Sequence, residues 1–363
     1  MLTKTPVSTE ASRQQPPAVQ FASGASDEVT KVLAVHGREA GQFSVLGPDP
    51  WQVVWSDERD GFVPFLEGRG CLLSWRSPVA PVESQGAIVA RLVEHARDVG
   101  KPLIAVAVNE AVRDVGAQLG LVPMWIGTEG VIDLPSWSIR GGRRQKIRWA
   151  RSHAERLGHS WREAYPLTDA RDVADLERVE HQWKTERPER FTDSFLRTSF
   201  LELAELRRYF VCDGPTGVVA SVTCTPVNES DWYLQDIVRT PDAPRGALEG
   251  ALACALDALR DDGYAFASNG PMPFWRPHER WSDPHQLGAI GNQVVRYMDR
   301  RYRFRGISQF RAKLDPDRIV PVYVVRTHRF VTPRVALSLT RLLNDRVEAR
   351  GPATDAAQST REK

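Results

Sequence analysis

Two kinds of segment alternate along this chain, and the alternation constrains the fold more than any other feature. Apolar residues at helical spacing predict helices from Ser84 to Gly100 and over 246–262, with further helical segments at 109–120, 170–186 and 195–206. Short apolar runs predict strands at 61–66, 70–75, 102–108, 122–126, 130–134, 208–212, 217–226, 231–238, 264–268 and 320–325. Strands stand on both sides of the main helix of each half, so we expect an α/β (α+β) fold.

The composition is that of an ordinary globular protein. The 48 Lys and Arg residues nearly balance 46 Asp and Glu, so any contact with nucleic acid must come from a local patch. No apolar run approaches the length of a membrane span, and residues 1–28 lack the apolar core of a signal peptide. We expect a disordered tail at 1–28, a polar tail at 350–363, and a soluble, cytoplasmic protein. The four scattered cysteines fit a reducing compartment.

The common nucleotide, metal and hydrolase motifs are absent from the sequence. It contains no G-x-x-x-x-G-K-[ST], no G-x-G-x-x-G, no H-E-x-x-H and no G-x-S-x-G. Its eight histidines show no metal-ligand spacing. We therefore expect neither a metal nor a bound cofactor. The segment 271–291 is expected to be an irregular loop.

A strongly basic segment at 138–158 is predicted to be a helix. Residues 139–158 contain seven Lys and Arg and one Glu. Such a helix suits the phosphates of RNA or an anionic lipid, because each contact releases a counterion; a solvated linker helix would have the same composition. The candidates for contact, of which the residues at 144, 148 and 151 share one face, are Arg143, Arg144, Lys146, Arg148 and Arg151.

Acidic and basic residues interrupt the apolar segment 231–250. Strict alternation along its strand places Asp236 on the face of Trp232, where a carboxylate requires a partner or a ligand. Arg239 ends the strand, and Glu249 follows in the first turn of the helix. These residues are candidates for acid–base chemistry, and a structural Asp–Arg pair with a helix-dipole carboxylate is the alternative.

A second mixed cluster at 302–316 alternates aromatic and basic residues around Gly306. As a strand, it would place Phe310 on one side and Arg311 and Lys313 on the other. A cation beside a reacting carbonyl stabilises an oxyanion, so both basic residues are candidates for the site. An edge strand protected by charge is the alternative.

Four segments, taken in order, carry a family resemblance. They are G-F-V-P-F with G-R-G-C-L-L-S-W-R-S-P-V-A-P, G-T-E-G-V-I-D-L-P-S-W-S-I-R-G-G-R-R-Q-K-I-R-W-A, D-I-V-R-T-P-D-A-P-R-G-A-L-E, and Y-R-F-R-G-I-S-Q-F-R-A-K-L-D-P. Over residues 30–326 the chain resembles the cytosolic catalytic domain of the lysyl- and alanyl-phosphatidylglycerol synthases. The resemblance implies two tandem GNAT-like acyltransferase domains, at 29–137 and 159–349, joined by the basic helix at 138–158.

The resemblance also implies the chemistry and the site. An amino acid would pass from aminoacyl-tRNA to an acceptor without acetyl-CoA, and the basic helix would grip the tRNA. Asp236 and Arg239 match the family's D-x-x-R, and Glu249 matches the acidic residue of the next helix. Lys313 matches the second lysine of F-K-x-K, and Arg311 stands at the first. The carboxylates would take the acceptor proton or hold the α-ammonium, and the cations would stabilise the oxyanion, Arg311 on the acceptor side.

The acceptor is where this chain departs from the family pattern. The W-x-P after the last motif is replaced by R-I-V-P, and the multi-span membrane module has no counterpart in these residues. In layout the chain is similar to natural-product relatives such as the seryl-tRNA-dependent transferase of valanimycin assembly. We therefore expect transfer, with serine as the first choice, to a small hydroxylamine, amine or hydroxyl acceptor. The alternatives are aminoacylation of phosphatidylglycerol or a related lipid with peripheral membrane contact, an acyl-CoA-dependent GNAT enzyme, and a non-catalytic RNA-binding module; DNA is not an expected partner.

Overall fold

The structure, a computed structural model, describes residues 27–47, 51–185, 200–276, 296, 299–300, 303–329 and 332–344. Most of the predicted tail at 1–28, the polar tail at 350–363 and most of the predicted loop at 271–291 lie outside these residues. The helix predicted at 195–206 is described from residue 200 onward, where a 3₁₀ turn covers Ala204–Leu206.

Within the described residues, eleven strands form one mixed sheet. Their bounds are β1 Gln52–Trp55, β2 Phe62–Glu67, β3 Leu72–Trp75, β4 Leu103–Val108, β5 Val122–Asp133, β6 Ser160–Glu163, β7 Arg208–Gly214, β8 Gly217–Pro226, β9 Asp231–Arg239, β10 Phe266–Pro273 and β11 Arg318–Arg326. The order across the sheet is β1-β2-β3-β4-β11-β5-β10-β9-β8-β7-β6. The predicted α/β fold is confirmed.

Helices connect the strands and pack on the sheet. Those described are α1 Asp27–His36, α2 Gln85–Asp98, α3 Glu110–Gln118, α4 Gln145–Arg156, α5 Ala170–Thr185, α6 Ala247–Asp261, α7 Phe304–Ala312 and α8 Pro333–Asn344, with a 3₁₀ helix at Gln42–Leu46. Among the described helices, none is both long enough and apolar enough to cross a bilayer.

One parallel strand pair in each half organises the sheet. β3 pairs with β4, and β9 pairs with β10, while the other pairs are antiparallel. Parallel neighbours need a long connection, which α2 supplies in the first half and α6 in the second. β11 lies between β4 and β5, so the two halves share one continuous sheet. The repeated unit fits a tandem arrangement; the boundaries at 29–137, 138–158 and 159–349 stay a prediction.

The core of the second half forms around α6. Three leucines at helical spacing on one side of α6, Leu252, Leu256 and Leu259, are buried in the cluster that contains Trp232 and Leu234 of β9. Burial of one leucine side chain contributes roughly 1.5–3 kcal/mol, so this stripe fixes α6 on one face of the sheet.

The strand predicted within 302–316 is wrong, because this segment contains the helix α7. Phe310 and Leu314, four residues apart, pack into the cluster around α6, and the hydroxyl of buried Ser308 donates to the carbonyl of Pro273 at 3.0 Å. Alternating aromatic and basic residues suit a strand in sequence, but apolar burial at the i, i+4 spacing decides for a helix.

Three other predictions change in extent. The strands predicted at 122–126 and 130–134 are one strand, β5, which passes Gly127 at φ +152°. The basic helix predicted over 138–158 is shorter, because α4 begins at Gln145 after a stretch of turns. The strand predicted at 264–268 is observed as β10, which runs from Phe266 to Pro273.

The basic helix α4 packs directly on the N-terminus of α6. Gly246, the N-cap of α6, has φ +105°, and a Cβ at this position would overlap the carbonyl oxygen of Ala150 and lie 3.2 Å from the Cβ of Ala154. The indole of Trp161 donates to the carbonyl of Ala247 at 2.9 Å and closes the same corner. A glycine at this N-cap is therefore required by both its conformation and the close approach of α4.

We expect Gly246→Ala to lower the free energy of unfolding by roughly 3 kcal/mol, because it adds left-handed strain and pushes α4 away. Gly263→Ala is the matched control: its φ is +86°, but no atom lies within 4 Å of the added methyl. That variant should lose about 1 kcal/mol from strain alone. Urea unfolding of the three proteins checks this, and equal losses in both variants would contradict the packing argument.

Candidate active site

The parallel strands β9 and β10 separate at the centre of the second half. They pair over Asp231–Tyr233 and Phe266–Ser268. Beyond these residues, β9 remains paired with β8 as far as Arg239, and β10 remains paired with β5 as far as Pro273. A sheet that divides in this way leaves a cleft between two strands, which is a common position for a ligand in α/β folds.

The side chain of Arg311 reaches the cleft from α7. Its Nη1 donates to the carbonyl of Pro271 at 3.0 Å, and the amide of Asn269 donates to the Arg311 carbonyl at 3.0 Å. A Cβ at Gly270 would overlap this guanidinium and lie 2.7 Å from Cε2 of Tyr233. Arg311 therefore lies beside the ring of a β9 residue and the backbone of β10, and it brings a positive charge to the point where they divide.

Lys313 and Glu249 bridge two helices at this end of the sheet. Lys313 Nζ lies 3.5 Å from Oε1 of Glu249, which belongs to the first turn of α6. The lysine side chain is 44% exposed and the glutamate side chain 12% exposed, so a substrate can reach the pair from solvent. A carboxylate that can accept a proton, beside an ammonium group that can stabilise negative charge, is an arrangement that suits acyl transfer.

A β-bulge turns Asp236 away from the face that strict alternation predicts. Leu234 pairs with Cys224, but Asp236 pairs with Thr223, so one extra residue of β9 stands between two consecutive residues of β8. Ile237, instead of Asp236, packs with the cluster around α6. The prediction that Asp236 shares a face with Trp232 and Leu234 is therefore wrong, and Asp236 lies on the opposite side of the sheet from α6.

The carboxylate of Asp236 is buried next to charged and polar groups of β7 and its approach. Burial lowers the pKa of Arg207, which is fully enclosed, and the charge of Asp236 opposes that shift. Burial also raises the pKa of Tyr209, and Asp236 adds to this effect. The phenol of Tyr209 donates to the carbonyl of Phe200 at 2.6 Å. No local pattern in the sequence indicated Arg207 as a neighbour of this carboxylate.

Arg239 has a local role. Its Nη1 donates to the carbonyl of Ala243 at 2.9 Å, and its backbone pairs with Ala220 on β8. The side chain thus stabilises the turn between β9 and α6. Of the four predicted catalytic residues, the structure brings together Glu249 and Lys313, and it separates Asp236 from them across the sheet.

A buried ion pair supports the cleft from the first half of the chain. Arg76, which follows β3, donates from Nη1 to Oε2 of Glu129 on β5 at 2.8 Å, and both residues are buried. Ser268 Oγ donates to the other carboxylate oxygen at 2.7 Å and accepts from the backbone N–H of Gly270 at 2.9 Å. This network fixes β10 at the residue where it leaves β9.

The equivalent position in the first half is closed by Glu39. Its carboxylate accepts from the backbone N–H of Ser77 at 3.0 Å and from the amide of Asn109 at 2.8 Å, residues that follow β3 and β4. Burial raises the pKa of Glu39, and the charge of Arg76 opposes that rise. Because the chain's own side chain occupies this end of the first parallel pair, the cleft of the second half is the better candidate site.

The predicted phosphate-binding row on the basic helix needs correction. Arg144 is buried: its Nε donates to the carbonyl of Leu314 at 3.2 Å, its guanidinium lies 4.2 Å from the ring centre of Trp137, and burial lowers its pKa. Arg148 donates to two carbonyls of the preceding turn, both at 2.8 Å. These two side chains hold the structure around α4 and do not present a row of charges to solvent.

The other predicted contacts of this helix differ in availability. Arg143 is exposed but pairs with Asp315 at 2.6 Å and Asp317 at 3.0 Å, and the guanidinium of Arg151 lies over the ring of Trp161. Lys146 is exposed and has no acidic partner among the described residues. In the same residues, no group of three or more His, Cys, Asp or Glu side chains is placed to hold a metal ion.

Comparisons with known proteins agree on one family. Residues 45–326 match the family described as "Phosphatidylglycerol lysyltransferase, C-terminal". A curated relative, the phosphatidylglycerol lysyltransferase of Staphylococcus xylosus, is 21% identical over 284 residues, which are 76% of this chain and 32% of that protein. The chain thus spans about a third of the length of that relative.

Solved structures show the same fold. The C-terminal domain (DUF2156) of a protein assigned as a lysylphosphatidylglycerol synthetase from Agrobacterium fabrum matches with a TM-score of 0.72 and 19% identity, covering 88% of this chain and 96% of that one. The structure of L-PGS from Bacillus licheniformis matches with a TM-score of 0.69 and 18% identity, covering 88% and 97%. At these identities the likeness establishes the fold.

We expect Arg144→Met to lower the free energy of unfolding by about 2–3 kcal/mol, because three backbone carbonyls, among them that of Leu314, lose a charged donor. Arg156→Met, an exposed position on the same helix, is the control and should change stability by less than about 0.5 kcal/mol. Chemical unfolding followed by circular dichroism distinguishes them. Equal stability of the two variants would mean that Arg144 does not support the fold.

Proposed function

Because the chain belongs to the family of phosphatidylglycerol lysyltransferase C-terminal domains, we propose that it transfers an aminoacyl group from aminoacyl-tRNA to the glycerol headgroup of phosphatidylglycerol. The printed activity of the curated relative supports this acceptor. The comparisons offer no support for the small-molecule acceptor expected from the sequence, and they favour the lipid acceptor that was its alternative.

The packing of α4 on α6 is the observation that carries the choice of donor. The diphosphate of an acyl-CoA is bound well by free N–H groups at a helix N-terminus. Here the Ala150 carbonyl and the Ala154 methyl cover that position at Gly246. A donor without a diphosphate fits better, and the ester that links an amino acid to the ribose of tRNA is already activated for transfer.

The Lys313–Glu249 pair supplies the chemistry of ester exchange. The acceptor hydroxyl oxygen attacks the ester carbonyl carbon, and Glu249 takes the hydroxyl proton. Lys313 stabilises the oxyanion that forms. The bond to the ribose oxygen then breaks, and the proton passes from Glu249 to that oxygen. A general base contributes on the order of 10²–10⁴ in rate and an oxyanion donor on the order of 10²–10³. Because the aminoacyl ester is already activated, no further energy source is required.

The remaining candidates divide by the face of the sheet on which they lie. Asp236 lies on the side opposite α6, where a carboxylate can hold the α-ammonium of the amino acid that enters the cleft. Arg311 lies between the strands and can approach either reactant. Arg239 stabilises the turn before α6, and its part in the transfer stays a prediction.

A lipid acceptor requires contact with a membrane surface, and α8 offers one. Val335 and Leu342 are buried beneath it, while Leu337 is 53% exposed between the exposed Arg334 and Arg341 on its outer face. An apolar side chain flanked by cations suits the surface of an anionic bilayer.

The proposed reaction predicts transfer of label from tRNA to lipid. Purified protein would be incubated with tRNA charged in turn with labelled lysine, alanine, glycine or serine, and with vesicles that contain phosphatidylglycerol. We expect label in the organic phase, dependent on both charged tRNA and phosphatidylglycerol. Label in a small polar product when hydroxylamines are supplied instead would contradict the acceptor, and consumption of acetyl-CoA would contradict the donor.

Glu249→Gln and Lys313→Met should each lower the rate of transfer at saturating substrate by at least about 100-fold, since one removes the base and the other the oxyanion donor. Lys101→Met is the matched control, because Lys101 also forms a partly exposed pair with a glutamate, Glu67, at 2.6 Å in the first half. The control should retain transfer within about twofold. Full activity of either site variant would refute the roles given to the pair.

A further inference from the structure

Three planar side chains meet on the outer surface of α4. Trp149 is 51% exposed, and His153 stacks on it with ring centres 5.7 Å apart and planes 5° from parallel. The guanidinium of Arg245 lies 4.7 Å from the centre of the indole ring. Arg245 directly precedes Gly246, so this platform of Trp149, His153 and Arg245 stands where α4 meets the N-terminus of α6.

The platform contributes little to the packing of the helix. α4 is held by its opposite face, where Ile147, Ala150 and Ala154 are buried. Trp149 is found in none of the apolar clusters of the described residues. An aromatic residue of this size, left half open beside two further planar groups, indicates a surface that binds something flat.

Positive charges flank the platform along the same helix face. Lys146 lies three residues before Trp149 and Arg156 seven residues after it, spacings that place all three side chains on one side of a helix. Both basic residues are exposed, and neither has an acidic partner among the described residues. The surface thus combines stacking groups with charges that suit phosphates.

We propose that the platform stacks an unpaired nucleobase of RNA, with Lys146 and Arg156 on the neighbouring phosphates. The inference rests on the proposed function, in which the aminoacyl ester is carried by the unpaired 3′ end of tRNA. Aromatic and guanidinium planes stack on bases with little preference for sequence. Arg245 lies one helical turn before Glu249, so a strand bound here leads toward the Lys313–Glu249 pair.

The surroundings favour a nucleobase over a lipid. A tryptophan that anchors a protein to a bilayer usually lies among other apolar side chains. Around Trp149, the exposed neighbours on this face are basic or polar, and the residues in ring contact are an imidazole and a guanidinium. These groups extend a stack, and they would hold a single indole away from acyl chains.

The test compares two RNA hairpins that differ by four unpaired 3′ nucleotides. Binding is followed by fluorescence anisotropy with a dye in the hairpin loop, so no charged tRNA and no acceptor is needed. The native protein should bind the hairpin with the 3′ extension more tightly than the blunt one. Trp149→Leu should lose about tenfold in affinity for the extended hairpin and almost nothing for the blunt one, because leucine keeps the apolar surface without a ring to stack.

Three further variants separate stacking from other effects. Trp149→Phe keeps a ring and should retain most of the preference for the extension. Leu157→Ala removes an apolar side chain of the same helix that is also 51% exposed, and it should bind both hairpins like the native protein. Lys146→Ala should weaken both complexes alike and reduce their dependence on salt.

The proposal falls if the native protein binds both hairpins equally, or if Trp149→Leu leaves the preference intact. It also falls if Trp149 variants lose binding to phosphatidylglycerol vesicles while their RNA binding is unchanged. The transfer assay distinguishes this failure from that of the proposed function. If Trp149→Leu transfers label to lipid with an unchanged KM for charged tRNA, the proposed reaction is supported and the role of the platform is refuted. If Trp149→Leu loses the preference for the extended hairpin but the native protein shows no transfer, the platform is supported and the proposed reaction is refuted.

Discussion

The contact between the Ala150 carbonyl and Gly246 sets the position of everything near the candidate site. It requires a glycine in the left-handed region at the N-cap of α6. Because this glycine has no Cβ, α4 lies close enough to cover the end of that helix. The same contact covers the start of α6 at Gly246 and leaves the opposite face of α4, with Trp149, turned to solvent. One backbone contact thus fixes α4 against α6 and determines which face of α4 stays exposed.

The two halves of the chain use the same strand–helix–strand unit differently. In the first half, Glu39 ties together the residues that follow β3 and β4. In the second half, the strands part, and Arg311 with the Lys313–Glu249 pair stands at the opening. The buried Arg76–Glu129 pair links the two arrangements, and its further bond to Ser268 offsets part of the desolvation that two buried charges cost. The first half, which Glu39 closes, thus supports the shape of the open cleft in the second half.

Much of the fold follows from apolar spacing, whereas the site does not. The strands around α6, and α6 itself, were predicted because each buries an unambiguous face. The bulge in β9 was not predicted, because one extra residue, Gln235, has no signature in the composition. It nevertheless moves Asp236 to the other face of the sheet. The residue pattern around Phe310 was compatible with a strand and with a helix, and the burial of Phe310 against the cluster around α6 favours the helix. Arg144 was counted as a surface charge because its partner, a carbonyl 170 residues away, cannot be inferred from local pattern.

The separation of Asp236 from Glu249 limits the mechanism more than the identity of either residue does. Two carboxylates on opposite faces of a sheet cannot compete for one proton, so they need different tasks. The one beside Lys313 has a cation to balance the charge that develops during acyl transfer. The one beside Arg207 is enclosed, and a buried carboxylate with a fixed partner is suited to holding a cationic group in place. The proposed transfer joins an amino acid with a free ammonium group to an uncharged hydroxyl, and it needs one carboxylate for each of these two tasks.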